Sequence, residues 1–573
     1  MGPEKGSIQM QDRFSSQVRK RAGVVFSSLL LLFGFLALRL YAIQIEKHSD
    51  HLKRKDDQSN SYVDRTHPRG MILDRDGRVL ALSISVPSVW ADPSRVTPEM
   101  IQDLSDALQL EPDKLAQTLS PNRAGTSSPR RFTWVKREVS LVESNRIENL
   151  LEKYGVRRGA FGLRSEYVRR YPEGPLASHL LGFASDSSGG EGVERVMHDL
   201  LQGGVIRQDV RVDGKRRIVG GRSPEVGLAK VSLTMVSEIQ DIVEEELQIA
   251  FESHQPKWAT AVVMQPSTGA ILALANLPSF DPNRPGKSPP GDRRNRALTD
   301  PYPPGSTMKV MISAGALDEG KVSPSTVFDC ESGVWRYRGR TLHDHHPYEE
   351  LTLSEVLQKS SNIGAAKLGA LILGKKGLNH WIRKFGFGAK TGIDLPAENG
   401  GVFRPMKEWT SYSLTSLPIG QEISVTPIQL VNAMSVIANG GWLMRPRVVQ
   451  RVLREDGTIL RDFPAIRVRR VISETTARKM REILSLVVKE GTGRRSQVEG
   501  VSVGGKTGTT ELIDRHGTKY AWVASFSGFA PVEDPRLCVA VIMAEPAGEE
   551  HSGGKVAAPV VGNILRRALV FAQ

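Results

Sequence analysis

Three short motifs carry groups suited to acyl transfer. Ser306 and Lys309 stand three residues apart after Pro303, Pro304 and Gly305. On a helix, positions i and i+3 share a face, so the spacing predicts the Lys309 amine beside the Ser306 hydroxyl. A serine hydroxyl is a poor nucleophile without an adjacent base. A lysine can be that base when burial or a nearby cation lowers its pKa. Ser360, Ser361 and Asn362 add a second hydroxyl and an amide. Lys506, Thr507, Gly508 and Thr509 add a second amine and two hydroxyls around a glycine. Gly508 is expected to let a substrate peptide lie against a strand edge, having no side chain in the way. Each motif is weak alone, and the ordinary reading of the first is a capped helix start. The three in this order are far more specific.

These groups need a scaffold that brings distant segments together. Apolar periodicity predicts a helix over 238–251 and strands over 259–264 and 270–276, joined by a PSTG turn. Helical patterns follow at 306–318, 353–373 and 426–439, then strands at 520–529 and 537–544 and a last helix near 557–571. Paired strands at both ends of a helical middle imply an antiparallel sheet covered by helices. The preceding region, 46–225, reads as extended α+β. It opens on a polar connector (46–60), has an Asp76-Gly77 turn signal, helical stretches at 98–110 and 141–154, and loops at 121–131 and 186–192. Arg69, Gly70, Asp74 and Arg75 read as fold determinants, the glycine for backbone freedom and the charges for an internal pair.

The chain has 573 residues, enough for two or three domains. Its net charge of +14 raises nucleic acid or an anionic polymer as a partner. The surplus is spread along the chain, and no basic helix with interleaved aromatics stands out, so no nucleic acid is expected. Two cysteines, Cys330 and Cys538, exclude a disulfide framework and a cysteine zinc ribbon. The run His343-Asp344-His345-His346 fits no zinc spacing and reads as a solvated loop, so no metal and no cofactor are expected. Residues 22–38 hold no charge, and 22–45 is long enough to cross a bilayer. Lys5, Arg13, Arg19, Lys20 and Arg21 precede it, which predicts a cytoplasmic tail (1–21) and an extracytoplasmic body. No A-x-A cleavage site follows, so a retained single-pass anchor is expected over a signal peptide.

The motif set S-x-x-K, S-x-N and K-T-G belongs to serine β-lactamases and penicillin-binding proteins. With longer matches, the sequence resembles the class B penicillin-binding proteins, and within them the division-type peptidoglycan D,D-transpeptidases. The matches include RGMILDRDGRVLA at 69–81, VWADP at 89–93, RRYPEGPLASHLLGF at 169–183 and EGVE at 191–194. They continue with TGAILALANLPSFDPN at 268–283, NRALTDPYPPGSTMKV at 295–310, KSSNIGAAKLG at 359–369, GGKTGTTE at 504–511 and GGKVAAPV at 553–560. Departures are Pro303 where the family has Glu, Thr510 where Ala is usual, and Met235-Val236 in place of Ile-Asp. None removes a catalytic group.

The resemblance implies an α+β chain. A transmembrane helix (22–45) leads to a pedestal of the dimerisation type (46–225) and a transpeptidase domain (226–573) with an antiparallel sheet flanked by helices. It implies that Ser306 attacks the D-Ala–D-Ala carbonyl of a stem peptide and that Lys309 takes the proton. Ser360 then relays a proton and Asn362 holds the donor. The N–H groups of Ser306 and Thr509 make the oxyanion hole. Lys506, Thr507 and Thr509 take the substrate carboxylate along the Gly508 strand. The implied partners are peptidoglycan stem peptides on a lipid-linked precursor, β-lactam antibiotics, an FtsW-type glycosyltransferase and other divisome membrane proteins. The implied location is the inner membrane at the septum. Elongation-type and spore-type transpeptidases, a D,D-carboxypeptidase and an inactive division scaffold remain as alternatives.

Overall fold

The computed structural model describes residues 5–50, 53, 60–120, 131–155, 159–184, 190–212, 218–221, 229–513 and 518–572. The connector at 46–60 and the loops at 121–131 and 186–192 fall largely outside them. The chain divides into two compact units. The smaller comprises 1–67 and 205–226, and the larger takes 68–204 and 227–573.

In the smaller unit, one helix runs Lys5–Tyr41 and ends in a π turn, Ala42–Glu46. Its segment Val18–Glu46 is long and apolar enough to cross a membrane, with none of it buried against protein. Leu31, Phe33 and Leu38 stand exposed along it. Three strands, Asn60–His67, Gly204–Val212 and Ile218–Gly221, form a separate sheet in that order.

The larger unit contains two principal sheets. One joins Ile459–Asp462, Val449–Leu453, Lys230–Leu233, Met71–Leu73, Val79–Ala91 and Thr133–Lys136, with Phe161–Arg170 pairing on Val79–Ala91. Met71–Leu73 lies parallel to Lys230–Leu233, so segments on both sides of residue 225 share one sheet. Glu194 sits fully buried here, with Arg69 Nε at 2.5 Å and Arg169 Nε at 2.7 Å. Tyr171 donates its hydroxyl to the same carboxylate at 3.1 Å. The partner of Arg69 is thus Glu194. Asp74 accepts from the Asp76 and Arg78 amides and from Ser237 Oγ instead. A Cβ at Gly70 would lie 2.1 Å from the Ala229 carbonyl oxygen, so close backbone approach requires the glycine.

The other sheet is antiparallel, in the order Ala270–Leu277, Trp258–Gln265, Leu537–Ala544, Lys519–Ala530, Gly504–Ile513. Successive side chains in a strand point to opposite faces. Ala261, Val263, Val539 and Val541 therefore pack into one core with the helices Ser237–His254 and Ala558–Ala568. Val262, Met264, Ala540 and Ile542 pack into another with Pro427–Ala438. With both faces covered, the strands read as continuous apolar runs. Cys538 is buried in the second core, and both cysteines are free.

Candidate active site

Ser306 lies in a 3-10 turn, Gly305–Thr307, that leads straight into the helix Met308–Asp318. Every residue of that helix from Met308 to Leu317 is buried, which marks it as a central core helix. Lys309 is carried inside with it and has no exposed surface. The turn is set by two glycines. Gly305 has φ +56, and a Cβ there would lie 2.3 Å from Thr510 Oγ1. A Cβ at Gly420, which has φ +75, would lie 2.1 Å from the Gly305 carbonyl oxygen. The unusual Thr510 thus packs directly behind the residue that precedes Ser306.

The Lys309 amine makes three contacts. It donates to the Ser360 carbonyl at 2.6 Å, to Asn362 Oδ1 at 2.8 Å and to Ser360 Oγ at 3.3 Å. Asn362 Nδ2 donates to the His343 carbonyl at 3.0 Å, which fixes the amide so that its oxygen faces Lys309. Among the described residues, no bond joins Lys309 Nζ to Ser306 Oγ. The shared helix face brings the two residues to one site, but the amine is held by the Ser360–Asn362 turn.

The helix predicted over 353–373 is broken at that turn. Leu353–Gln358 ends, and Asn362–Lys367 begins a new helix. Ser360 between them has φ +61, a left-handed conformation that costs a non-glycine residue of order 1 kcal/mol. The first helix carries a Thr352/Glu355 capping box. Ser361 caps the second, accepting from the Gly364 amide at 3.0 Å.

Asp344 completes the turn. Its carboxylate accepts from Ser361 Oγ at 2.6 Å, from the Ile363 amide at 3.1 Å and from the Asn362 amide. It sits at the N-terminus of the helix that begins at Asn362, where orphan amides and the helix dipole favour an anion. The solvated-loop reading therefore fails at Asp344. It holds for His345 and His346, which are exposed and line the cleft. Nothing local in the sequence marks Asp344, because its partners lie seventeen to nineteen residues away.

Lys506 enters from the strand Gly504–Ile513, which is the edge of its sheet. Its amine donates to Ser360 Oγ at 3.0 Å and to Thr507 Oγ1 at 3.2 Å. One hydroxyl, Ser360 Oγ, is therefore shared by two buried amines. Thr507 and Thr509 point to the other side of the strand, into an open cleft of about 820 Å³ that Ser306 and Ser360 also line. Gly508 points with Lys506. A Cβ there would lie 2.3 Å from Ser525 Oγ and 2.9 Å from the Pro304 carbonyl oxygen. The glycine is thus required by packing behind the strand, whereas the sequence suggested room for a substrate.

The electrostatics follow from burial. Desolvation pushes the Lys309 amine down to about 7, with the Asp344 carboxylate opposing the fall. The Lys506 amine is driven well below its ordinary value by burial and by the neighbouring Lys309 charge. A proton on either amine disfavours one on the other, so the pair titrates as a unit. An amine near 7 can take a proton from a hydroxyl at neutral pH and return it to a leaving amine.

Comparison with known proteins identifies both domains. The family described as penicillin binding protein transpeptidase domain matches residues 259–566. The penicillin-binding protein dimerisation domain matches 65–227. Stage V sporulation protein D of Bacillus subtilis is 34% identical, over 96% of this chain and 86% of the relative. Peptidoglycan D,D-transpeptidase FtsI of Escherichia coli is 31% identical, over 97% of this chain and 92% of the relative. The crystal structure of penicillin-binding protein 3 of Mycobacterium tuberculosis, complexed with aztreonam, superposes with a TM-score of 0.66 at 25% identity. It covers 89% of this chain and 98% of that one. The penicillin-binding protein 2X of Streptococcus thermophilus shares the fold, with a TM-score of 0.73 at 23% identity, over 89% of this chain and 80% of that one. An N-terminal apolar helix, a dimerisation domain and a transpeptidase domain place the chain among the class B penicillin-binding proteins, as a peptidoglycan D,D-transpeptidase.

Proposed function

We propose that this enzyme cross-links septal peptidoglycan through an ester on Ser306 and that β-lactams acylate the same hydroxyl. The observation that carries the reading is the Ser360 hydroxyl held between two buried amines at the edge of the cleft that Ser306 lines. Lys309 takes the Ser306 proton as the hydroxyl attacks the penultimate D-alanine carbonyl. The backbone N–H groups of Ser306 and Thr509 receive the developing oxyanion, each worth ~3–4 kcal/mol in comparable sites. Ser360 passes the proton to the departing D-alanine, Asn362 holds the donor peptide, and Thr507 and Thr509 bind its terminal carboxylate. An amine from a second stem peptide then resolves the ester.

Labelled penicillin tests the nucleophile. It acylates the wild type and leaves Ser306→Ala unlabelled; labelling that survives the substitution overturns the assignment.

The division role rests on the likeness to FtsI and on the VWADP segment. It carries with it a septal location, a cytoplasmic N-terminus and an FtsW-type glycosyltransferase as membrane partner. The likeness to the sporulation protein supports a second reading, a spore-specific transpeptidase. Depletion separates them. Filaments support division, normal growth with defective spores supports the second reading, and swollen round cells point to elongation.

A further inference from the structure

The cleft is more basic than capture of one carboxylate requires. Among its described lining residues, Lys359, Arg494, Arg495 and Lys555 are basic, and Glu490 is the one carboxylate. Two short segments tie three of the cations to the threonines that face the cleft. Thr492 Oγ1 lies 2.9 Å from Thr507 Oγ1, and Arg494 follows two residues later in a 3-10 turn, Arg494–Ser496. The Gly553 amide donates to Thr509 Oγ1 at 3.0 Å, and Lys555 follows two residues later in the turn Gly553–Val556. Close packing fixes both segments. A Cβ at Gly553 would lie 2.3 Å from the Gly508 carbonyl oxygen, and one at Gly554 would lie 2.5 Å from the Thr492 carbonyl oxygen.

Arg495 and Lys555 already converge on one carboxylate. Glu550 lies 3.1 Å from Lys555 Nζ and 4.0 Å from Arg495 Nη1, with its side chain 47% exposed. Two cations from different segments, brought together beside Thr507 and Thr509, form a place that a carboxylate fits.

We propose that Arg495 and Lys555, with Arg494 beside them, form a carboxylate subsite that reads the acceptor. An amine with a carboxylate on its α carbon is preferred over the same amine with that carboxylate masked. The inference rests on the acyl-enzyme reading above. The departing D-alanine is itself an amine beside a carboxylate, and the acceptor amine reaches the ester carbon from the side D-alanine leaves. After departure, Thr507, Thr509 and the cations behind them face a vacated carboxylate position. In the resolving step the acceptor nitrogen attacks the ester carbon. The C–N bond forms, the bond from that carbon to Ser306 Oγ breaks, and the proton shed by nitrogen returns to Ser306 Oγ. Glu550 competes for the same cations, so its removal strengthens the preference.

The test uses full-length enzyme in detergent and an N-acyl-D-alanyl thioester as donor. D-Methionine and D-methioninamide are the two acceptors, and the readout is the ratio of transfer to hydrolysis for each. Masking also changes amine basicity, so the decisive quantity is how the D-methionine to D-methioninamide preference changes between wild type and variant. Arg495→Ala and Lys555→Ala are each expected to lower that preference roughly two- to fivefold, as partly exposed charge contacts do. Glu550→Gln is expected to raise it. Lys555→Arg keeps the charge and is expected to retain the preference, which a merely structural role would not separate from the alanine variant. High salt is expected to erode the preference in the wild type. An unchanged preference in Arg495→Ala and Lys555→Ala overturns the subsite while leaving the acyl-enzyme intact. Failure of the wild type to form the acyl-enzyme overturns the functional reading and the subsite with it.

Discussion

Among the described residues of the larger unit, the buried charges around Glu194 and those around Lys309 are built on different plans. At Glu194, one carboxylate without exposed surface receives Arg69, Arg169 and Tyr171, so the buried anion has opposite charges and a donor. At Lys309, two amines without exposed surface share one serine hydroxyl, and the Asp344 carboxylate opposes the desolvation of Lys309. The first cluster ties Arg69, which precedes the strand Met71–Leu73, to Arg169 in Phe161–Arg170 and to the helix Gly192–Val196. The second buries two amines against each other, so that both are pushed toward their neutral forms, an arrangement that folding alone would not favour. Buried charge that is paired holds this fold together, whereas buried amines that repel each other's protons mark its chemistry.

Substitutions that separate stability from activity would sharpen or break that contrast. The largest expected effect is on catalysis. Lys309→Met is expected to slow penicillin acylation by about 10²–10⁴-fold, the range for loss of a positioned general base. Its unfolding midpoint is expected to hold or rise, because an apolar side chain of similar length replaces a buried charge. A large loss of stability in this variant would put Lys309 in the same class as Glu194. Next, Glu194→Leu strands two arginines and is expected to cost about 3–5 kcal/mol of stability, measured by denaturant unfolding. Acylation by its remaining folded fraction is expected to be close to wild type.

Asp344→Asn is expected to be milder. It keeps an acceptor for the Asn362 and Ile363 amides but removes the charge that supports protonated Lys309. Acylation is expected to fall roughly tenfold, as for a partly retained charge-assisted contact. The acid limb of its pH profile should move to lower pH, because the variant amine gives up its proton more readily. A profile that keeps its position would reduce Asp344 to a helix cap. The last expected effect is on stability against pH, and it is spread over several pH units. Lys309 titrates at about 7 in the folded chain and near its ordinary 10.5 when unfolded. Between these values the unfolded chain binds more protons, so stability rises with pH across the window and is lost as pH falls towards 7. Thermal scans of Lys309→Met should lack that rise.

The legible parts of the sequence were those with local signals. The apolar runs at 259–264, 270–276 and 537–544 became strands, and 141–154 became a helix with those bounds. The motif residues announced themselves by type and order. What stayed hidden depends on contacts between distant segments. Asp344 bonds a turn well ahead of it in the chain, and Gly508 answers to Pro304 and Ser525 behind its strand. The break at Ser360 had a partial signal. Thr352 with Glu355 is a helix-start pattern, and Ser361 is a second capping residue inside one apolar period. Read together, they divide the stretch 353–373 into two helices meeting at the motif.

The shared hydroxyl of Ser360 also bears on how the enzyme relates to its surroundings. Its oxygen lies 3.3 Å from one lysine nitrogen and 3.0 Å from the other, and both amines are sealed from water. On the proposed mechanism, a proton taken from the nucleophile waits on this three-atom path and is handed to the leaving amine. The catalytic cycle then borrows no proton from outside. Turnover in such a site is expected to be indifferent to buffer concentration at constant pH.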